Sequence, residues 1–170
     1  MGPSQQNRRV PTKRKPGADA DAYTRGLGLL SRREHSAREL EAKLARKGHA
    51  KDEIGTAVAR LREKRYQSDD RFGISIARAR VAQGYGPARI RAELKSHGLS
   101  DAAVRAAIEA TEADWPAVAA AQLRRRFGGR PPEDGEERGS RARFLLRRGF
   151  DPATVRAVTR ADVDDSSGFD

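Results

Sequence analysis

Apolar residues in this chain recur four positions apart and then stop at a glycine. In residues 87–108, PARIRAELKSHGLSDAAVRAAI, Ile90 and Leu94 form one such pair and Val104 and Ile108 form another beyond Gly98. A spacing of four places both members on one face of a helix, so the stretch predicts two amphipathic helices in succession. Pro87 suits a first helical position, where its missing N–H has no partner to lose. Gly98 suits the left-handed residue that ends a helix, and Ser100 suits the N-cap of the next one. Each helix carries a single narrow apolar stripe, which neither can bury without neighbours.

The neighbours are copies of the same pattern. Fifty residues earlier, Leu40, Leu44, Gly48, Ile54 and Val58 stand at the offsets of Ile90, Leu94, Gly98, Val104 and Ile108. Fifty-one residues later, Leu145, Gly149 and Val155 do the same, with Arg141 in place of the first aliphatic residue and Thr159 in place of the last. A repeat of this length signals stacked supersecondary units. Each unit opens with a further helix, and Asp19, Asp69 and Asp114 are the expected caps. The first helix carries Tyr23, Leu27 and Leu30 on one face, although Gly26 and Gly28 weaken it by roughly 1 kcal/mol each relative to alanine. The second carries Phe72, Ile76 and Ala79, and the third Trp115, Ala119, Leu123 and Phe127. Ser36 and Glu39 read as a capping box, and Asp151 with Pro152 starts a last helix that fades near Arg160.

The fold class is therefore all-α: three tandem three-helix-bundle repeats of about 50 residues, forming an elongated, curved array whose neighbouring repeats share faces. The expected boundaries are 18–66, 67–112 and 113–161. The third unit contains an insert at residues 130–135, RPPEDG, whose adjacent prolines predict an exposed loop. Residues 1–17 read as a disordered basic leader and residues 162–170 as a disordered acidic tail.

Composition narrows the picture. Aromatic residues make up 5% of the chain and charged residues 35%, which favours a thin stack over one deep core. There is no cysteine, so disulfides and thiolate metal sites are excluded. No apolar run resembles a signal peptide or a membrane span, so a cytoplasmic protein without membrane attachment is expected. Of the net charge of +11, the leader with Asp19 and Asp21 contributes +3 and the aspartates of the tail −4, leaving +12 on the repeats. A folded surface this basic implies polyanionic partners, while the plainer alternative is solubility.

No catalytic constellation accompanies the charge. His35, His49 and His97 are neither paired at helical spacing nor joined by cysteine, so a metal site is not expected. Gly84, Tyr85 and Gly86 form a bare G-x-G, which reads as a flexible turn and not a phosphate loop. Tyr85 is the one aromatic residue expected outside a core stripe or repeat junction. No cofactor is implied. The basic residues say more. Arg91 and Lys95 stand four apart on the second helix of the middle repeat, and Arg143 with Arg147 repeats that spacing in the third. These four, with Arg78, Arg124, Arg125 and Arg148, are the candidate contacts to a polyanion. Arg124, Arg125 and Arg126 are consecutive and spread around the helix, so at most two of them meet one ligand. Arg46, Lys47, Arg147 and Arg148 also precede C-terminal glycines, where a cation stabilises a helix end by about 0.3–1 kcal/mol.

With the repeats laid out, the chain resembles the RecX family of bacterial recombination regulators from Tyr23 to about Thr159. The resemblance rests on Tyr66, Asp69, Arg71, Phe72, Gly86, Ile90, Leu94 and Gly98 in the middle, and on RFLLRRGFD near the end. The glycines at 26 and 28, the basic leader and the RPPEDG insert depart from the family pattern. The resemblance implies a non-enzymatic modulator that binds the RecA filament on DNA, and a monomer is expected. Such a protein lodges in the filament groove and suppresses filament growth, ATP hydrolysis, strand exchange and the co-protease activity behind the SOS response. It also implies direct contact with single- and double-stranded DNA. A different class remains open from the residues alone: a sequence-tolerant DNA- or RNA-binding module with tandem helix-turn-helix-like units. Against it stands the lack of a helix combining Arg, Asn and Gln for base reading.

Overall fold

The computed structural model describes residues 20–164, which form nine helices and no strand. The first repeat comprises α1 (Ala22–Leu30), α2 (Ala37–Arg46) and α3 (Lys51–Glu63). The second comprises α4 (Asp69–Ala82), α5 (Pro87–Ser96) and α6 (Asp101–Glu109). The third comprises α7 (Trp115–Phe127), α8 (Gly135–Arg147) and α9 (Pro152–Asp164), the last running four residues past Arg160. The basic leader and the last residues of the acidic tail lie outside the described residues.

Helix boundaries follow their local chemistry. Gly48, Gly98 and Gly149 have φ of 86°, 85° and 89°, the left-handed conformation that terminates α2, α5 and α8. Ser36, Ser100 and Asp114 cap α2, α6 and α7 by accepting from the amides of Glu39, Ala103 and Ala117. The Glu39 carboxylate is engaged by Arg33 and His35. Two expected caps are corrected. Ser68, not Asp69, accepts from the Arg71 amide at the start of α4, because Asp69 has already entered the helix. Asp21 caps α1 by accepting from Thr24, whereas Asp19 lies outside the described residues.

Each repeat encloses its own core. Leu40, Leu44, Ile54, Val58 and Leu61 fill the first, Phe72, Ile90, Leu94, Leu99 and Val104 the second, and Leu123, Leu145, Phe150 and Val155 the third. Burial of each of these large apolar side chains is worth about 1.5–3 kcal/mol. Trp115 packs against both the second and third cores. Gly26 has a packing role, because a Cβ there would lie 2.7 Å from Leu61 Cδ1. At Arg141 the aliphatic position of the other repeats is filled by a guanidinium that is only 2% exposed. It donates to Arg130 O at 2.7 Å and to Glu137 at 3.3 Å, and lies 5.1 Å from the centroid of the Phe127 ring. The insert is thereby tied to α8, with Arg130 also paired to Glu133 and Glu137.

The expectation that neighbouring repeats share faces is corrected: every helix pair in extensive contact lies within one repeat. The seams are narrow and polar instead. At the second seam the amide of Gly86 donates to Arg148 O at 2.9 Å and that of Ala88 to Gly149 O at 3.0 Å. Donors that the start of α5 leaves without intrahelical partners thus meet carbonyls at the end of α8. The first seam achieves the same with side chains. Asp69 Oδ1 accepts from the Ala37 amide at the start of α2 at 2.9 Å, and Arg38 donates to Ser96 O at the end of α5 at 3.2 Å. Gln67 donates to His35 O, and Arg71 pairs with Glu34 at 2.7 Å. The second helices α8, α5 and α2 therefore stand end to end, positive dipole ends against negative ones.

Candidate partner-binding face

The eight candidate cations fall into two groups. Arg91, Arg143, Arg147, Arg124 and Arg125 are exposed, and none forms an ion pair among the described residues. Lys95 is exposed but paired with Asp101 at 3.1 Å. Arg78 donates to Ala110 O at 3.4 Å, which places it over the end of α6. Arg148 differs from the rest: its guanidinium donates to Gln83 O at 3.1 Å and Gly84 O at 3.2 Å. It also stacks on Tyr85 and Phe144 with centroid distances of 5.2 Å and 5.1 Å. Arg148 is the clamp of the second seam, and its hydrogen-bonding edge is turned into the protein.

Two further expectations change here. Tyr85 sits at the seam between Arg148 and Arg89, the latter at 5.5 Å from its ring centroid, and is not isolated from the repeat junctions. The Gly84–Gly86 segment is a close-packed joint and not a flexible turn. A Cβ on Gly86 would fall 2.4 Å from the Gly149 backbone, and one on Gly84 would fall 2.0 Å from the Gln122 side chain. The two exposed pairs also differ in register. Arg91 and Lys95 stand seven and three residues before Gly98, whereas Arg143 and Arg147 stand six and two before Gly149. One position turns a side chain by roughly 100° about the helix axis, so equivalent faces do not carry both pairs.

Two cavities meet at Gln83 and Tyr85 on this seam. One, of about 540 Å³, is bordered by Arg80, Arg89 and Glu93; the other, of about 420 Å³, by Arg125, Arg126 and Arg148. Arg80 donates to both Glu93 oxygens, at 2.7 Å and 2.6 Å, joining α4 to α5. That pair of hydrogen bonds holds the Glu93 carboxyl below the usual range, against the opposing effect of partial burial. A third cavity, between α1 and α2, is lined by Arg25, Arg32, Lys43, Arg46 and Lys47. None of these five is among the candidates read from the sequence. The available signal was spacing: Lys43, Arg46 and Lys47 stand at i, i+3 and i+4 on one helix face.

Among the described residues no group of three metal-ligating side chains converges, and no helix is long and apolar enough to cross a membrane. What fold and surface define is a tandem-repeat α-helical protein that presents cations on open faces and shallow clefts. Comparison with known proteins places it more closely. Residues 22–61, 68–108 and 112–159 match the first, second and third three-helix domains of RecX. The chain is 45% identical over 158 residues to the regulatory protein RecX of Stenotrophomonas maltophilia (strain K279a), covering 92% of this chain and 96% of that one. It is 47% identical over 141 residues to the regulatory protein RecX of Xanthomonas axonopodis pv. citri (strain 306), covering 83% and 87%. The crystal structure of RecX from Lactobacillus salivarius superposes with a TM-score of 0.69 at 21% identity, covering 82% of this chain and 93% of that one. The chain belongs to the RecX family of regulatory proteins.

Proposed function

We propose that this protein binds the RecA filament on DNA and restrains its growth, ATP hydrolysis, strand exchange and co-protease activity, with no catalysis of its own. It acts as a monomer, in the cytoplasm, and touches DNA directly as well as through RecA. The observation that carries this reading, beside family membership, is the set of exposed arginines on α5 and α8. Arg91, Arg143 and Arg147 have no acidic partner among the described residues, and their helices stand end to end. A row of linked domains held at narrow seams suits a partner that is itself a repeating polymer. Arg124 and Arg125 extend the basic face beside the second seam.

ATP hydrolysis by RecA on single-stranded DNA, titrated with this protein at several salt concentrations, tests the proposal. The wild type should suppress hydrolysis and lose potency as salt rises, as a polyelectrolyte contact requires. The Arg91→Glu/Lys95→Glu variant should lose suppression while circular dichroism shows it folded, because exposed changes alter stability by only about 0.5 kcal/mol. A folded double variant that suppresses as well as wild type throughout the salt series would remove α5 from the contact.

A further inference from the structure

The cleft between α1 and α2 plays no part in the contacts proposed so far, and its chemistry is specific. It encloses about 750 Å³, and among the described residues five cations line it and no carboxylate does. Arg25 and Arg32 come from one face of α1 and the turn that follows it, at i and i+7, with Gly28 and Leu29 between them at i+3 and i+4. Lys43, Arg46 and Lys47 come from one face of α2. Two cationic faces are thus set against each other across a concave surface. Lys43 is balanced by Glu39 at 3.7 Å, and Arg46 donates to Ala42 O of its own helix at 3.3 Å. Arg32 and Lys47 are exposed and form no ion pair among the described residues. Cations gathered in a concavity repel one another and focus a positive potential into it.

Gly28 supplies a second, independent observation. A glycine inside a helix costs about 1 kcal/mol relative to alanine. At Gly26 close packing against Leu61 explains the choice, but a Cβ at Gly28 would meet nothing within 4 Å, and its φ does not demand glycine. What the missing side chain does is lower the floor of the cleft, so that a bound chain can come close to the helix backbone.

We infer that this cleft is a separate seat for the phosphodiester backbone of DNA. A nucleic-acid strand carries one negative charge per nucleotide at regular spacing, which suits opposed rows of cations better than the isolated carboxylates of a protein surface. Among the described residues no aromatic ring lines the cleft, so it holds the backbone without stacking bases and is indifferent to sequence. The inference rests on the proposed function only in taking DNA as a partner.

The test uses the full chain, for DNA binding without RecA and for ATPase suppression with it. Fluorescence anisotropy of labelled single- and double-stranded oligonucleotides is followed across a salt series, with circular dichroism as the folding control. The Arg32→Glu/Lys47→Glu variant should bind at least about tenfold more weakly than wild type at low salt, with a log–log salt slope smaller by about two. Gly28→Leu, which fills the floor and removes no charge, should also weaken binding without lowering the melting temperature. A folded double reversal with wild-type affinity and slope would overturn the inference, as would a wild type that binds neither oligonucleotide at low salt. Loss of RecA ATPase suppression with unchanged DNA affinity would instead assign the cleft to an acidic protein surface and overturn it too. Suppression of RecA that survives while the cleft proves irrelevant to DNA would leave the proposed function standing. Cleft-dependent DNA binding with no suppression of RecA would do the reverse.

Discussion

Replacing Gly149 by alanine is expected to undock the third repeat from the second, whereas the same change at Gly48 costs only the backbone term. The three repeat glycines share one conformation, with φ of 86°, 85° and 89° at positions 48, 98 and 149, so each substitution carries a left-handed penalty of about 1–2 kcal/mol. Their surroundings separate them. A Cβ at Gly48 meets nothing within 4 Å, one at Gly98 lies 3.2 Å from the flexible Arg38 side chain, and one at Gly149 lies 2.5 Å from the Arg89 backbone nitrogen. The last neighbour is the start of α5 and cannot move unless the seam opens. Thermal or urea unfolding should therefore rank the losses Gly149→Ala above Gly98→Ala above Gly48→Ala, with about 3 kcal/mol or more at position 149. Equal losses at all three would mean that the seam yields freely.

Arg141 gives the second large effect, and its sign depends on the replacement. Truncation to alanine removes a buried cation together with the stem that fills the core position held by Leu40 and Ile90 in the other repeats. The loss of donors to Arg130 O and Glu137, with the space left behind, should cost about 3–5 kcal/mol. Replacement by leucine restores the repeat pattern, and buried ion pairs exchanged for apolar packing are often neutral or stabilising. Glu137 retains Arg130 and the Glu133 amide, so leucine does not strand its charge. Trp115, the one tryptophan, borders the third core and reports its unfolding by fluorescence. Arg141→Leu should melt within a few degrees of wild type and Arg141→Ala well below it. If leucine destabilises as much as alanine, the guanidinium is required for its hydrogen bonds and not as a volume.

The interior of each repeat was legible because it is written at local spacing. The i, i+4 aliphatic pairs and serine caps of the first two copies, and the C-terminal glycines of all three, each act within a few residues. The seams were not legible, because their bonds run between backbone groups far apart in sequence. Nothing local marks Gly86 and Ala88 as donors to Arg148 and Gly149, or Asp69 as the acceptor for Ala37 instead of a cap on its own helix. Arg148 shows the limit for the candidate site. As a sequence position it is one more basic residue before a glycine, and only the stacked Tyr85 and Phe144 rings reveal it as a clamp. The cationic cleft of the first repeat was hidden for a related reason. Arg25, Arg32, Lys43, Arg46 and Lys47 lie on two helices, and only the packing of α1 against α2 turns the two faces towards one another.

Assembly of RecA on a fluorescently labelled single strand, followed as this protein is added, bears most directly on its proposed role. Restraint of filament growth predicts that RecA occupancy stops rising when the protein is added during extension, and that the effect saturates and weakens with salt. Occupancy that rises at the same rate to the same plateau, with folded protein present in excess, would contradict it.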